Sequence, residues 1–367
     1  MNTIKINREI LLGPLNAVSG IIERRHTLPI LSNVLLERKG TRITIVATDI
    51  EIQISAQADC ENPGEDKTIT VGAKKLLDIL RALPEQSEVT LTLQEKKLQV
   101  KADKSRFNLQ TLPAEDFPKL SLAEGQSTRL TLPQKVLKHL LLSVQYAMAQ
   151  QDIRYYLNGL LLVTGENKIT VVATDGHRLA LASAAHTLDG VQEVILPRKT
   201  ILELSKLMSD SDDEVVVELS PTQARFSFAG IVLISKLVDG KFPDYTRVIP
   251  TAHNKKLLLN RIVLLQALQR AAILTNEKFK GVRWVLVDGS LKIICSNNEQ
   301  EEAQEELDVT YIGDALDIGF NVTYLLDVLG NLDCSDVECA LGDANSSALI
   351  TVPGNDDFKY VVMPMRI

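Results

Sequence analysis

The chain is 367 residues long, 45% hydrophobic and 24% charged, an ordinary balance for a soluble globular protein of two or three domains. No apolar run approaches the roughly 18 residues a membrane helix needs, and the opening MNTIKINREI lacks the apolar centre of a secretory signal. A net charge of −7 argues, taken alone, against a nucleic-acid partner, and four scattered cysteines (Cys60, Cys295, Cys334, Cys339) suit reduced thiols in a cytoplasm.

In chain order, helical spacing is expected first over 8–25, although Gly13-Pro14 falls inside it and should kink the helix or mark its first turn. Alternation at Arg42-Ile43-Thr44-Ile45-Val46 and Thr68-Ile69-Thr70-Val71 predicts strands, followed by a helix over 73–83. A third helix is read over 133–149 from Val136, Leu137, Leu140, Leu141, Val144 and Met148, and a fourth over 197–208. Segments 260–275 and 322–332 complete the helices, the last through Val322, Leu325, Leu326 and Leu329. Polar, turn-rich stretches at Ala123–Thr128 and Pro250–Lys255 read as linkers.

One pattern occurs three times. Val46-Ala47-Thr48-Asp49 returns 126 residues later as Val172-Ala173-Thr174-Asp175. The segment Lys74–Leu80 returns as Arg198–Leu204 and again as Asn321–Leu329, with an acid at 78, 203 and 327. Such a period fits three domains of common ancestry, 1–125, 126–252 and 253–367. Each should hold two helices and roughly eight short strands, an α+β architecture.

Charge is sorted between element types. The six helical segments carry +1, +2, +2, +2, +2 and −1, a total of +8, which leaves −15 for the strands and loops. If the helices share a face, that face attracts a polyanion; otherwise the pattern is solvated surface.

Catalytic motifs are missing. No phosphate-cradling glycine loop, HExxH or GxSxG occurs. Asp175-Gly-His177-Arg178 with Ser183 nearby is the closest approach to a catalytic set, but the first copy, Thr48-Asp49, has no histidine, so turn chemistry is the better reading. Cys334 and Cys339 lack the second pair that structural zinc needs, and the acidic run Glu299–Glu306 lacks a calcium-loop glycine. Neither a metal nor a cofactor is expected.

Several segments in order, Arg154-Tyr-Tyr-Leu-Asn-Gly159, Ala173–Ala180, Ser235–Tyr245, Ala271–Phe279 and Tyr360–Ile367, resemble the bacterial DNA sliding clamps, the beta subunits of DNA polymerase III. The likeness spans all three repeats. It implies a non-catalytic processivity factor: a head-to-tail homodimer ring of the DNA-clamp fold, helices lining the hole and antiparallel sheets outside. Duplex DNA, the replicative polymerase, an ATP-driven loader and other proteins carrying a short linear motif are the implied partners.

The resemblance also assigns residues. A partner groove would use Arg154, Leu157, Thr174, Gly176, His177, Arg178, Leu179, Pro243, Arg247, Val248, Asn321, Tyr324, Ser347, Val361, Met363, Pro364, Met365 and Arg366. From the residues alone, Met363 and Met365 would instead be core packing on a terminal strand. DNA contacts fall on Arg25, Lys74, Gln151, Tyr155 and Tyr156, although strand alternation would bury one tyrosine of the pair. The dimer contact would set Lys74, Lys75, Lys104 and Arg106 against Ile273, Leu274, Glu299, Glu302 and Glu305. Two departures from the family stand out: Ile367 replaces a terminal leucine, and Glu23-Arg24-Arg25 replaces a glycine-rich loop.

Overall fold

The computed structural model describes residues 3–22, 28–94, 96–121, 127–165, 167–186 and 191–366, with 61–64 as backbone alone. Arg25, Ile367 and most of the first predicted linker lie outside the described residues.

Among the described residues one order of elements runs three times: strand, helix, four strands, helix, three strands. The first repeat comprises β1 (Thr3–Asn7), α1 (Arg8–Ser19), β2 (Asn33–Thr48), β3 (Ile52–Gly72), α2 (Ala73–Ala82), β4 (Glu88–Gln94), β5 (Lys97–Ala102) and β6 (Ser105–Gln110). Its long strands β2 and β3 stand for the four middle strands. The second comprises β7 (Thr128–Pro133), α3 (Gln134–Val144), β8 (Gly159–Thr164), β9 (Lys168–Thr174), β10 (Arg178–Ala185), β11 (Gln192–Pro197), α4 (Arg198–Leu207), β12 (Glu214–Leu219), β13 (Gln223–Phe228) and β14 (Ile231–Lys236). In the third follow β15 (Lys255–Asn260), α5 (Arg261–Ala271), β16 (Gly281–Val287), β17 (Ser290–Ser296), β18 (Glu302–Asp308), β19 (Leu316–Asn321), α6 (Val322–Asn331), β20 (Asp336–Leu341), β21 (Ala348–Val352) and β22 (Asn355–Val362).

The chain divides into two compact units, Met1–Lys135 with Leu202–Leu237 and Val136–Ile201 with Val238–Ile367. In the first, sheets run β1-β4-β5-β6 and β2-β3-β14-β13-β12-β7. The second holds β11-β8-β9-β10-β22-β21-β20-β15 and β18-β17-β16-β19. Each six- or eight-stranded sheet thus joins two repeats through one antiparallel seam. At β3·β14 Ile52 faces Ser235, and at β10·β22 Arg178 faces Val362.

The helices are shorter than their apolar pattern suggested, because the ends of the predicted segments become 3-10 turns, at Gln145–Ala147 and Ala272–Leu274. Pro14 lies in the middle of α1 rather than in its first turn. The missing N–H is tolerated because Leu11, Leu15 and Val18 are fully buried against the sheet, and such burial contributes roughly 1.5–3 kcal/mol per side chain.

Each first helix is tied to the segment after its repeat's second helix. The N–H groups of Arg8, Gln134 and Arg261 donate to the carbonyls of Ser87 (2.9 Å), Asp213 (2.8 Å) and Ser335 (2.9 Å). Two of these residues also use their side chains. Arg8 Nε donates to Leu80 O at 2.6 Å, and Arg261 Nη1 to Leu329 O at 2.9 Å, both carbonyls in the last turn of the second helix. A cation there satisfies an orphan carbonyl and complements the helix dipole. The Gln134 side chain instead accepts, from Ser209 N at 3.1 Å, and among the described residues its buried Nε2 has no partner.

Much of the helical charge is therefore engaged locally. Lys135 pairs with Asp212, Lys206 with Glu203, and Arg270 with Glu305, whereas Lys74 and Lys75 are exposed and make no ion pair among the described residues.

Candidate functional site

The turn from β9 into β10 is built by two short side chains. Thr174 Oγ1 donates to Arg178 O (2.6 Å) and accepts from Gly176 N (3.1 Å), while Asp175 Oδ1 accepts from His177 N (2.9 Å) and Arg178 N (3.0 Å). Gly176 sits at φ +87°, which favours glycine, and a Cβ there would crowd the Arg154 guanidinium at 3.0 Å. Thr48 and Asp49 make the same bonds to Ile50, Glu51 and Ile52, as expected of turn chemistry. Ser183 hydrogen-bonds Thr170 at 2.9 Å, not His177, so no triad forms.

A second loop supplies the facing wall. Arg154 grips Asp152 with Nε (3.0 Å) and Nη2 (2.8 Å), and Nη2 also reaches the Asp175 carbonyl at 3.2 Å. The Arg154 hydrogen bond holds the Asp152 carboxyl at about 2, so the pair persists well into acid. Asn158 closes this loop by accepting from Asp152 N and donating to Asp152 O.

Between these loops and the segment after β14 lies an apolar cavity of about 210 Å³. Eleven of the proposed groove residues line it: Arg154, Leu157, Thr174, Gly176, His177, Arg178, Leu179, Pro243, Val248, Val361 and Met363. Its floor is the buried cluster of Leu161, Val172, Leu179, Leu181, Ile195, Phe242 and Val361. Met363 is 43% exposed, and its N–H extends the β22 seam to His177 O at 2.8 Å, so it stands at the rim rather than in the core. The volume is below the roughly 300–1,000 Å³ of small-molecule pockets and suits one or two inserted side chains.

Seven of the assigned groove residues do not line this cavity. Asn321 caps α6, accepting from Thr323 N at 2.9 Å, and Ser347 O contacts His253 Nε2 at 2.6 Å. Tyr324 stacks on Arg178, Arg247 pairs with Asp244 at 2.8 Å, and Met365 N donates to Gly319 O. Pro364 and Arg366 lie on the same terminal stretch beyond β22. Conversely, Tyr156 and Tyr245 line the cavity although neither was assigned to it. For Tyr245 the signal was its place in Lys241-Phe-Pro-Asp-Tyr245, beside the assigned Pro243.

Tyr155 and Tyr156 lie on a 3-10 turn, not on a strand, so alternation does not sort them: Leu157 is the buried member, Tyr156 is half-buried and Tyr155 is exposed. Their rings meet edge to face at 5.9 Å. Gln151 is exposed at φ +56° on the same loop, and Lys74 lies on the exposed face of α2.

The dimer candidates fall on sheet ends. Lys104 and Arg106 are exposed at β6, the last strand of its sheet, and Glu302 and Glu305 lie on β18, the last strand of another. Ile273 is 77% exposed and Leu274 half-buried on the turn after α5, while Glu299 is exposed before β18. Glu305 already has a partner within its own repeat, Arg270, at 2.9 and 2.5 Å. Among the described residues no group of His, Cys, Asp and Glu could hold a metal, and burial pushes the Cys339 thiol up to about 12. No described helix is long and apolar enough to cross a membrane.

Three copies of one α+β unit, sheets continued across the seams, and an apolar groove fit a binding protein of the clamp type. Models of the DNA polymerase III beta subunit match over all three parts, the N-terminal domain at 2–121, the central domain at 131–244 and the C-terminal domain at 246–366. A beta sliding clamp from Pseudomonas putida is 48% identical over 364 residues, covering 99% of both chains. The DNA polymerase III beta subunit of Pseudomonas aeruginosa superposes with a TM-score of 0.96 at 46% identity over the whole of both chains, and a griselimycin-bound structure from that organism does so equally, covering 99% of its chain. The chain belongs to the beta sliding clamps, the non-catalytic processivity subunits of DNA polymerase III.

Proposed function

We propose that two copies of this chain close head to tail into a ring of six repeats, 1–125, 126–252 and 253–367 in each, that surrounds duplex DNA and tethers partner proteins. The observation that carries this reading is what the two seams leave over. Both join the last strand of one repeat to the equivalent strand of the repeat before it, in the same register. The last strand of the first repeat, β6, and the third-repeat counterpart of β10, which is β18, end their sheets without such a partner. An open strand edge invites pairing, and a heterologous contact with a closing rotation gives a ring.

Carrying the internal register across sets Arg106 of one copy opposite Gln304 of the other, with Glu302 and Glu306 two residues to either side on the same face. Lys104 and Arg106 thus meet the acidic edge strand, with Lys74 and Lys75 facing Glu299, and Ile273 and Leu274 forming the apolar centre. The ring need not bind DNA tightly, since topology prevents escape; Arg25, Lys74, Gln151, Tyr155 and Tyr156 supply weak contact. Partners with a short motif insert apolar side chains beside Leu157, Leu179, Pro243, Val248, Val361 and Met363. Rebinding at high effective concentration then replaces dissociation of the polymerase. Opening falls to a separate ATP-driven loader, as the sequence has no nucleotide loop.

The register is testable by cysteine pairs. Asn108→Cys and Glu302→Cys are placed opposite one another across the contact, so the double variant should cross-link into a closed covalent dimer with a short thiol reagent. Failure to cross-link, or an open ladder of higher species, contradicts the head-to-tail ring.

A further inference from the structure

We propose that Asp327, on α6, is a positioning residue of the groove: it fixes Arg178, and through Arg178 both the Thr174–Arg178 turn and the ring of Tyr324. This rests on the groove reading above. Arg178 lines the cavity, yet its side chain is only 9% exposed and each of its three nitrogens already donates a hydrogen bond. Nη1 donates to Asp327 Oδ2 at 2.5 Å, Nε to Asp175 Oδ2 at 3.2 Å, and Nη2 to the Tyr146 carbonyl at 2.6 Å. The guanidinium lies 4.3 Å from the centroid of the Tyr324 ring and 5.8 Å from that of Tyr146. Tyr360, fully buried, donates its hydroxyl to the Tyr324 carbonyl at 2.9 Å. With each of its three nitrogens held from a different segment, the planar fork sets the position of what surrounds it.

The other seam provides the control. Its turn, Thr48–Ile52, makes the same backbone bonds, and its strand pairs with the next repeat in the same register. Ile52 stands where the second repeat has Arg178. The acid equivalent to Asp327 there is Glu203, the sixth residue of α4 as Asp327 is of α6. Glu203 also reaches back to the preceding repeat, its carboxylate lying against Gly20, but among the described residues it meets no arginine there and pairs with Lys206 of its own helix at 2.8 Å. Among the described residues, that seam thus shows no arginine–carboxylate clasp. The clasp occurs at the seam that carries the groove, and its role is to hold the groove's shape.

The test measures binding of a labelled peptide bearing the clamp-binding motif of the cognate replicative polymerase, well below the melting temperature. Asp327→Asn, isosteric and on a side chain 34% exposed, should weaken the peptide by about tenfold, within the range of a residue acting through another. Asp327→Ser serves as the second variant and should do the same. Ile293→Val, which loosens the core of the third repeat away from the groove, should lower the melting temperature and leave affinity unchanged. Native affinity in both Asp327 variants overturns the proposal, as does an equal loss in Ile293→Val, which would mark a merely structural effect. If the unaltered protein does not bind the peptide, it is the groove reading that fails.

Discussion

Arg8 and Arg261 show how a charge that looks available for a ligand can be committed to the fold. Each opens the first helix of its repeat and donates into the last turn of the second, at equivalent positions two repeats apart. Charge-assisted bonds of this kind contribute about 1.5–3 kcal/mol. Arg261→Ala should cost that much in urea denaturation, and a loss below about 0.5 kcal/mol, typical of a surface substitution, would contradict the assignment. The sequence made both arginines legible as helical cations, but not as caps, because their acceptors lie 72 and 68 residues away. Asp175 is the converse case. Its turn role could be read from Thr48-Asp49 because every bond in the turn is local, whereas Arg178 to Asp327 spans 149 residues and leaves no local trace.

At the scale of elements, the two equivalent turns differ in one strained position. Ile50 holds φ +81°, where the second repeat has Gly176 at +87°. A β-branched residue in this region stores roughly 1–3 kcal/mol of strain, more than the roughly 0.4–1 kcal/mol of chain entropy that glycine adds to the unfolded state. Ile50→Gly should therefore hold or raise the melting temperature, and a clear drop would show that the Ile50 side chain contributes packing that outweighs the strain. Helix existence was legible in the 3.6-residue pattern; helix length was not. Tyr146 and Ile273 continue the apolar pattern past the last α-helical turn, so the pattern alone extends α3 and α5 into what are 3-10 turns. The cavity walls were harder still, since Tyr156 and Tyr245 come from separate loops that both pack against the cluster around Phe242.

For the whole molecule, an overall charge of −7 and a DNA-encircling role are compatible if acid and base are placed on different surfaces. The structure refines the helical count, since Arg270, Lys135 and Lys206 are each paired with an acid and so add little to any field. What remains is modest attraction, which suits sliding better than tight binding. Retention should then depend on topology and not on affinity. Loaded onto a closed circular duplex and challenged with high salt, the protein should stay bound, and it should leave at once when a single double-strand cut makes the circle linear. Salt-sensitive loss from the intact circle, or equal retention on cut and uncut DNA, would contradict a ring that holds DNA by enclosing it.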